Sequence, residues 1–273
     1  MFKIVCELYI KLYLRFRCMV RLISFNMEYC EGTTESALEY LNGVRALHSP
    51  KHLDEQMMSY LADWHPDILG LVEVDFGSFR THQRDEAEFF ASHIGFESII
   101  RGSKYQDSLL SRLIRRLPLG GKQGNAVLSN LPVKDTYFHI LSRGMKNLVI
   151  EVEFENPSFT LLLVHLALFK RTRRYQIKEL TQIIQNIDTP VILCGDMNTF
   201  HKEEIHHILT KTKLHDLYTE SKYSSNPKTE PSWRPKYRLD NVFGSKEVSV
   251  EQYRVLNVHF SDHLPVLVDF SVS

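Results

Sequence analysis

From residue 20 onward, short apolar runs of strand length alternate with stretches of helical periodicity, and no low-complexity linker separates them. Such an alternation commits a chain to a mixed α/β architecture, because each apolar strand has to be covered by helices or by a second sheet. Strands are expected at 20–27, 68–74, 125–129, 133–141, 147–154, 159–166, 191–195, 239–243, 248–257 and 264–272. Helical patterns cover 36–48, 53–64, 80–93, 172–187 and 202–210. The strands between 125 and 166 follow one another through short turns, which favours antiparallel pairing. No internal repeat or boundary appears, so residues 19–273 are read as one domain of mixed sheets with helices packed outside.

Composition narrows the functional classes. The 273 residues are 43% hydrophobic and 24% charged, enough for one large core or two small ones. Formal net charge is zero, so no global positive field marks a nucleic-acid binder, and basic residues have to act locally. Cys6, Cys18, Cys30 and Cys194 form no CxxC pair and no zinc-spaced set with histidine, which reads as a reducing, cytoplasmic setting.

Residues 1–18 stand apart, dense in apolar and aromatic side chains broken by Lys3, Glu7, Lys11 and Arg15, which would line one helical face. The segment is too interrupted to span a bilayer and lacks the apolar stretch and cleavage site of a secretory signal. It is expected to pack on the domain, or to be translated sequence upstream of a start at Met19, with a membrane-surface amphipathic helix as the alternative.

Polar residues punctuate the ends of the apolar runs. Asn26 closes Leu22-Ile23-Ser24-Phe25, and Glu73 interrupts Gly70-Leu71-Val72-Glu73-Val74. A glutamate in so apolar a strand needs a partner, either a divalent cation or a lysine or arginine on a neighbouring strand. Taken alone, Glu73 is better read as ion-paired. His165, inside 161–168, is by itself better read as a core histidine satisfied by a carbonyl. The run 191–194 delivers Asp196 and Asn198 to a strand terminus, two residues apart on one side of the pleat. Turn and site are equal readings of Gly195-Asp196-Met197-Asn198 alone. Asp240 heads another strand, and Ser261-Asp262-His263 precedes the last one. An aspartate can hold a histidine in one tautomer, and a histidine beside a carboxylate can bind metal. Several such sites at strand ends together make idle turns an improbable account.

The ordered set SFNM, LVEV, GNAVLSN, HLAL, GDMN, LDNVF and SDHLPV, spread over residues 20–272, resembles the endonuclease/exonuclease/phosphatase superfamily. That superfamily includes abasic-site endonucleases, DNase I-like nucleases, inositol-polyphosphate 5-phosphatases and neutral sphingomyelinases. The resemblance implies a four-layer α/β sandwich with two central mixed β-sheets, a site at one edge of the sheets, and dependence on Mg²⁺, with Mn²⁺ as a substitute. It casts Asn26 and Glu73 as metal ligands and Asp262 as a further direct or water-bridged ligand. His165 becomes the histidine on the scissile phosphoryl group, Asp196 the aspartate that orients or deprotonates the attacking water, and Asn198 the grip on a phosphate oxygen. His263 stands close to the phosphoryl centre with Asp240 behind it, and Asn125 is architectural. Whether Asp196 or His263 acts as general base stays open. Two positions depart from the abasic-site branch: Glu28 stands where that branch places an aspartate, and His165 where it places a tyrosine.

The inserts bear on substrate. Residues 101–122 set Leu109, Leu110, Leu113, Ile114 and Leu117 against Arg112, Arg115 and Arg116. As a helix this face suits an anionic membrane surface or a nucleic-acid backbone, or else packs on the domain with solvated arginines. Lys170, Arg171, Arg173 and Arg174 add cations near the motifs. In 232–238, Trp233 with Arg234 and Arg238 would bind a phosphate and stack on a base or acyl head group, or Trp233 would cover the Asp240 strand. The first expectation is a hydrolase of a phospholipid or small phosphodiester, peripheral to a membrane if the insert binds one. The alternatives are a magnesium-dependent nuclease and a non-catalytic interaction protein on the same scaffold. No obligate protein partner is implied.

Overall fold

The computed structural model describes residues 19–30, 32, 52–78, 80–103 and 122–273. The N-terminal segment 1–18, the expected helix 36–48 and residues 104–121 of the basic insert lie outside the described residues. In chain order the strands are β1 (Met19–Asn26), β2 (Ile68–Asp75), β3 (Ser98–Ser103), β4 (Gln123–Ser129), β5 (Val133–Ile140), β6 (Leu148–Phe154) and β7 (Phe159–His165). They continue with β8 (Val191–Asp196), β9 (His215–Asp216), β10 (Tyr223–Ser224), β11 (Asp240–Gly244), β12 (Val248–Val255) and β13 (Val266–Val272). The described helices are α1 (Leu53–Ala62), α2 (Glu86–Ile94), α3 (Lys170–Gln185), α4 (Lys202–Thr212) and the single turn α5 (Leu217–Glu220).

One sheet runs in the order β10-β12-β13-β1-β2-β4-β3 and the other β5-β6-β7-β8-β11-β9. Both are mixed: β1 and β2 are parallel, as are β7 and β8, while β13 lies antiparallel to β1 and β11 to β8. The sheets stack on Leu22, Ile68, Val72 and Val127 from the first and Ile150, Leu161, Leu163 and Ile192 from the second. On the outer side of the first sheet, Ile23, Phe25, Leu69 and Leu71 pack against Met57 and Leu61 of α1 and Phe90 of α2. On the outer side of the second, Leu162, Val164 and Leu193 pack against Ile177 and Leu180 of α3 and Ile208 of α4. The result is the expected four-layer α/β sandwich. Strands buried on both faces explain why β7 and β8 read as unbroken apolar runs instead of alternating.

Two expectations are corrected. The helical pattern over 80–93 becomes a helix only from Glu86. The preceding loop is drawn around the buried Asp75 carboxylate, which accepts from Ser78 N at 2.6 Å and contacts Arg80 Nη2 and Thr81 Oγ1 at 3.3 Å each. Asp85 then caps α2 by accepting from Glu88 N at 3.0 Å, a competition of side-chain with helical bonding. Residues 98–103, unassigned or placed in the insert, form the edge strand β3 on β4.

Arg173, one of the cations noted near the motifs, is buried to 1% exposure. Its Nη1 donates to Ala167 O at 2.7 Å and Leu168 O at 2.8 Å, and Nη2 pairs with Glu204. It therefore fastens the segment after β7 to α3 and α4. The β7–β8 register, which aligns His165 with Asp196, depends on Gly195. That residue has φ +124°, and a Cβ on it would stand 2.0 Å from Val164 O. Gly195→Ala is expected to lower stability by about 2–4 kcal/mol, measured by urea denaturation; a loss below 1 kcal/mol would contradict the close approach.

Candidate active site

The polar residues singled out from the sequence meet at one edge of the stacked sheets. Asn26 ends β1 and pairs with Val72 of β2, next to Glu73. His165 ends β7 opposite Asp196 at the end of β8. Antiparallel pairing sets Asp240, the first residue of β11, against Asp196 on its other side. The loop carrying Asp262 and His263 leads into β13, which begins beside Ser24.

Asp196 is the hub. Its Oδ1 accepts from Asn198 N at 2.9 Å, and its Oδ2 accepts from Asn26 Nδ2 at 3.1 Å and Asn198 Nδ2 at 3.2 Å. Strand geometry stops at Asp196; Asn198 has φ +51°, so the pair does not share a pleat. The turn and site readings of this motif hold together, because the aspartate that binds the turn is also the central carboxylate. Asn198 Nδ2 also donates to Leu166 O at 2.9 Å, so a contact from this amide to a phosphoryl oxygen would displace one of these bonds. Burial alone would raise the Asp196 carboxyl, but His165, His263 and Lys146 hold it well below the ordinary carboxylate range.

His165 is 1% exposed. Its Nε2 lies 3.2 Å from Asp196 Oδ2 and its Nδ1 3.8 Å from Glu73 Oε1, yet neither nitrogen has the alignment of a hydrogen bond. The separations are electrostatic contacts, and burial pushes its pKa down. The reading of His165 as a core histidine satisfied by a carbonyl is thereby set aside.

Asp240 Oδ2 holds His263 Nδ1 at 2.6 Å, as the resemblance implied. Burial would lower His263, but Asp240 and Asp262 hold it well above the ordinary imidazole value. Ser261 ties this loop to β1: its Oγ donates to Asn26 O at 2.8 Å and accepts from His263 N at 3.2 Å. Glu28, buried, accepts from Asp262 N at 3.2 Å, a strut between the two loops.

Glu73 sits on a β-bulge opposite β4 with φ +58°, and Asn125 Oδ1 accepts its N–H at 3.3 Å. Asn125 thus has the architectural part assigned to it. The bulge turns Glu73 out of the pleat, and a lysine does meet it: Lys146 Nζ is 3.1 Å from Oε1, reaching from the β5–β6 turn instead of a neighbouring strand. Among the described residues no three His, Cys, Asp or Glu side chains converge closely enough to hold a metal ion by themselves. A hard cation would rest on Glu73 and the Asn26 amide oxygen, with water or substrate oxygens completing its shell, which is how Mg²⁺ is commonly held.

Sequence reasoning missed Lys146, Ser261 and Glu230, the last half-buried with its pKa raised by burial close to His263 and Asp262. Only Ser261, inside SDHLP, carried a usable signal. Among the basic candidates, Arg238 is committed elsewhere, with both Nη atoms 2.7 Å from the Asp216 carboxylate and its guanidinium 4.9 Å from the Tyr218 ring centre.

Comparison with known proteins bears on the family and the fold. A model described as "Endonuclease/Exonuclease/phosphatase family" matches residues 23–263. No curated protein matches the chain in sequence. Among solved structures, a functionally unknown conserved protein from Enterococcus faecalis is similar at TM-score 0.72 and 16% identity, covering 93% of this chain and 100% of its own. The human Nocturnin catalytic domain with bound sulfate anion follows at TM-score 0.66 and 21% identity, covering 94% of each chain. A Bacteroides thetaiotaomicron mannosyl-6-phosphatase is similar at TM-score 0.65 and 15% identity, covering 92% of this chain and 99% of its own. With its fold, its ordered motifs and a family match over 23–263, the chain belongs to the endonuclease/exonuclease/phosphatase family and is a hydrolase of phosphoester bonds.

Proposed function

We propose that this chain hydrolyses a small phosphodiester or phospholipid head group by in-line attack of water, using Mg²⁺ with Mn²⁺ as a substitute. The observation that carries the reading is the meeting of His165, Asp196 and the Asp240–His263 pair, with both His165 ring nitrogens buried and lacking a hydrogen bond. Such an imidazole calls for a partner, and a phosphoryl oxygen supplies one. Enzymes of the family generally depend on a divalent metal. Glu73 and Asn26 would hold the ion, with Asp262 bridged to it through water. Bound there, a divalent cation supplies Lewis acidity that offsets charge developing on the phosphoryl group.

The chain's own residues carry the remaining steps. Asp240 occupies His263 Nδ1, which leaves Nε2 to donate to a phosphoryl oxygen. Asp196, kept ionised, orients the attacking water beside His165. Asn26 and Asn198 fix the Asp196 carboxylate so that it needs little reorganisation during the reaction.

Two observations support a small or lipid substrate. Net charge is zero, and a cleft of about 610 Å³, whose lining starts one residue after Asn198 in the chain, has Phe200, Ile205, Leu209, Tyr218 and Tyr237 among its walls. Lys202, Lys228 and Lys236 also line this cleft and favour a second reading, a nuclease, whose binding would weaken steeply with salt.

A parallel screen on bis(p-nitrophenyl) phosphate, sphingomyelin, phosphoinositides, plasmid DNA and abasic oligonucleotide is expected to show turnover on the small or lipid substrates. EDTA should abolish that turnover and Mg²⁺ restore it. Turnover confined to nucleic acid would select the nuclease reading, and turnover indifferent to EDTA would remove the metal. On the best substrate, Asp196→Asn and His263→Ala are each expected to lower kcat by about 10²–10⁴-fold with the thermal midpoint retained. Near wild-type rates in either variant would overturn its role.

A further inference from the structure

One basic side chain outside every motif stands within the site. Lys146 Nζ lies 3.1 Å from Glu73 Oε1, and after Glu73 it is Asp196 and Asp262 that most favour its charge. Its position is built by the turn between β5 and β6, which is fastened to α3. Gln176, fully buried, donates Nε2 to the carbonyls of both Arg143 and Lys146 at 2.7 Å. The same amide accepts from Ala167 N at 2.7 Å, two residues past His165. Around it, Ser142 N donates to Glu179 Oε2 at 2.7 Å, and the Arg143 guanidinium stacks 3.7 Å from the Tyr175 ring centre. Gly144 turns at φ +89°, where a Cβ would press to 3.0 Å on Gln176 Nε2. One buried amide therefore sets both the start of the Lys146 stem and the chain that follows His165.

The partner of Lys146 is the carboxylate that would hold the divalent cation. An ammonium and a divalent cation repel each other at such range, so occupation of Glu73 by one favours departure of the other. Lysine suits such an exchange, having a compact charge and three donors on a flexible four-carbon stem. A phosphoryl group arriving beside His165 brings negative charge within reach of the released ammonium. We propose that Lys146 is an exchangeable ligand: it neutralises Glu73 when no divalent cation is present, and binds a non-bridging phosphoryl oxygen once the cation takes Glu73. The inference rests on the hydrolase reading for the identity of the ion. It adds an anion-binding residue that no motif assigns.

The exchange predicts opposite effects on two ligands. Full-length wild type, Lys146→Met and Lys146→Arg are titrated calorimetrically with Mn²⁺, then with inorganic phosphate at saturating Mn²⁺. Lys146→Met is expected to bind Mn²⁺ more tightly than wild type and phosphate about 10–100-fold more weakly. Lys146→Arg should restore most of the phosphate affinity. Unchanged phosphate affinity in Lys146→Met, weaker Mn²⁺ binding in it, or no phosphate binding by Mn²⁺-loaded wild type would each overturn the proposal. If Lys146→Met fails to fold, Lys146→Gln carries the same comparison. Failure of the hydrolase reading is seen separately, as wild type that binds Mn²⁺ and phosphate yet turns over no phosphoester.

Discussion

The carboxylate of Asp196 joins the two halves of the molecule at the place where chemistry is done. Asn26, at the end of a strand in one sheet, donates to it across the inter-sheet boundary. His165 and Asp240 flank it on the neighbouring strands of the other sheet, and Asn198 closes the turn beneath it. The Asn26 contact depends on how the sheets stack, whereas the placement of His165 and Asp240 depends on strand register within one sheet. Close packing between the sheets makes that stacking stiff, since displaced apolar layers would open voids. Gly195 is the local condition: only a residue without Cβ lets β8 lie so near Val164 O.

Buried charge in this protein divides into two economies. Arg173 with Glu204, and Arg238 with Asp216, are two-residue ion pairs whose donors also hold carbonyls or lie over aromatic rings, although Arg173 Nε, Glu204 Oε2 and Arg238 Nε lack a hydrogen bond. Such pairs specify geometry more than they stabilise it, because desolvation offsets much of their attraction. The edge of the sheets is different. There Asp196, Asp240, Asp262 and Glu73 gather around two histidines and Lys146, and both His165 ring nitrogens and Asp240 Oδ1 lack a hydrogen bond. An arrangement left open in this way is costly for the folded protein alone and suits one that binds a charged ligand.

Much of the architecture was legible from hydrophobic pattern. Strands with both faces buried announced themselves as apolar runs, and the ordered motifs pointed to the positions that converge. The errors have local causes. The loop before α2 read as helix because its periodicity was helical, but Asp75 draws its backbone into side-chain bonds. The edge strand β3 escaped notice because SIIRGS is short and polar at its end. Arg173 read as a cation near the motifs and Arg238 as a phosphate contact, since sequence cannot tell a buried arginine with a carboxylate waiting from a free one.

By itself the sequence determined the fold class, the ends of most strands and the identities of Asn26, Glu73, His165, Asp196, Asn198, Asp240, Asp262 and His263. The fold class and strand ends depend on periodicity, a property of a single stretch of chain, and the site residues were singled out by the order of the motifs and the family they resemble. Tertiary structure alone decided which of them share a partner: that Asp196 reaches across to Asn26, that Glu73 leaves its pleat on a bulge, and that Lys146, from an unremarked turn, meets it there. These are contacts between segments far apart in sequence. Their geometry follows from strand register and sheet stacking, which only the packed core sets.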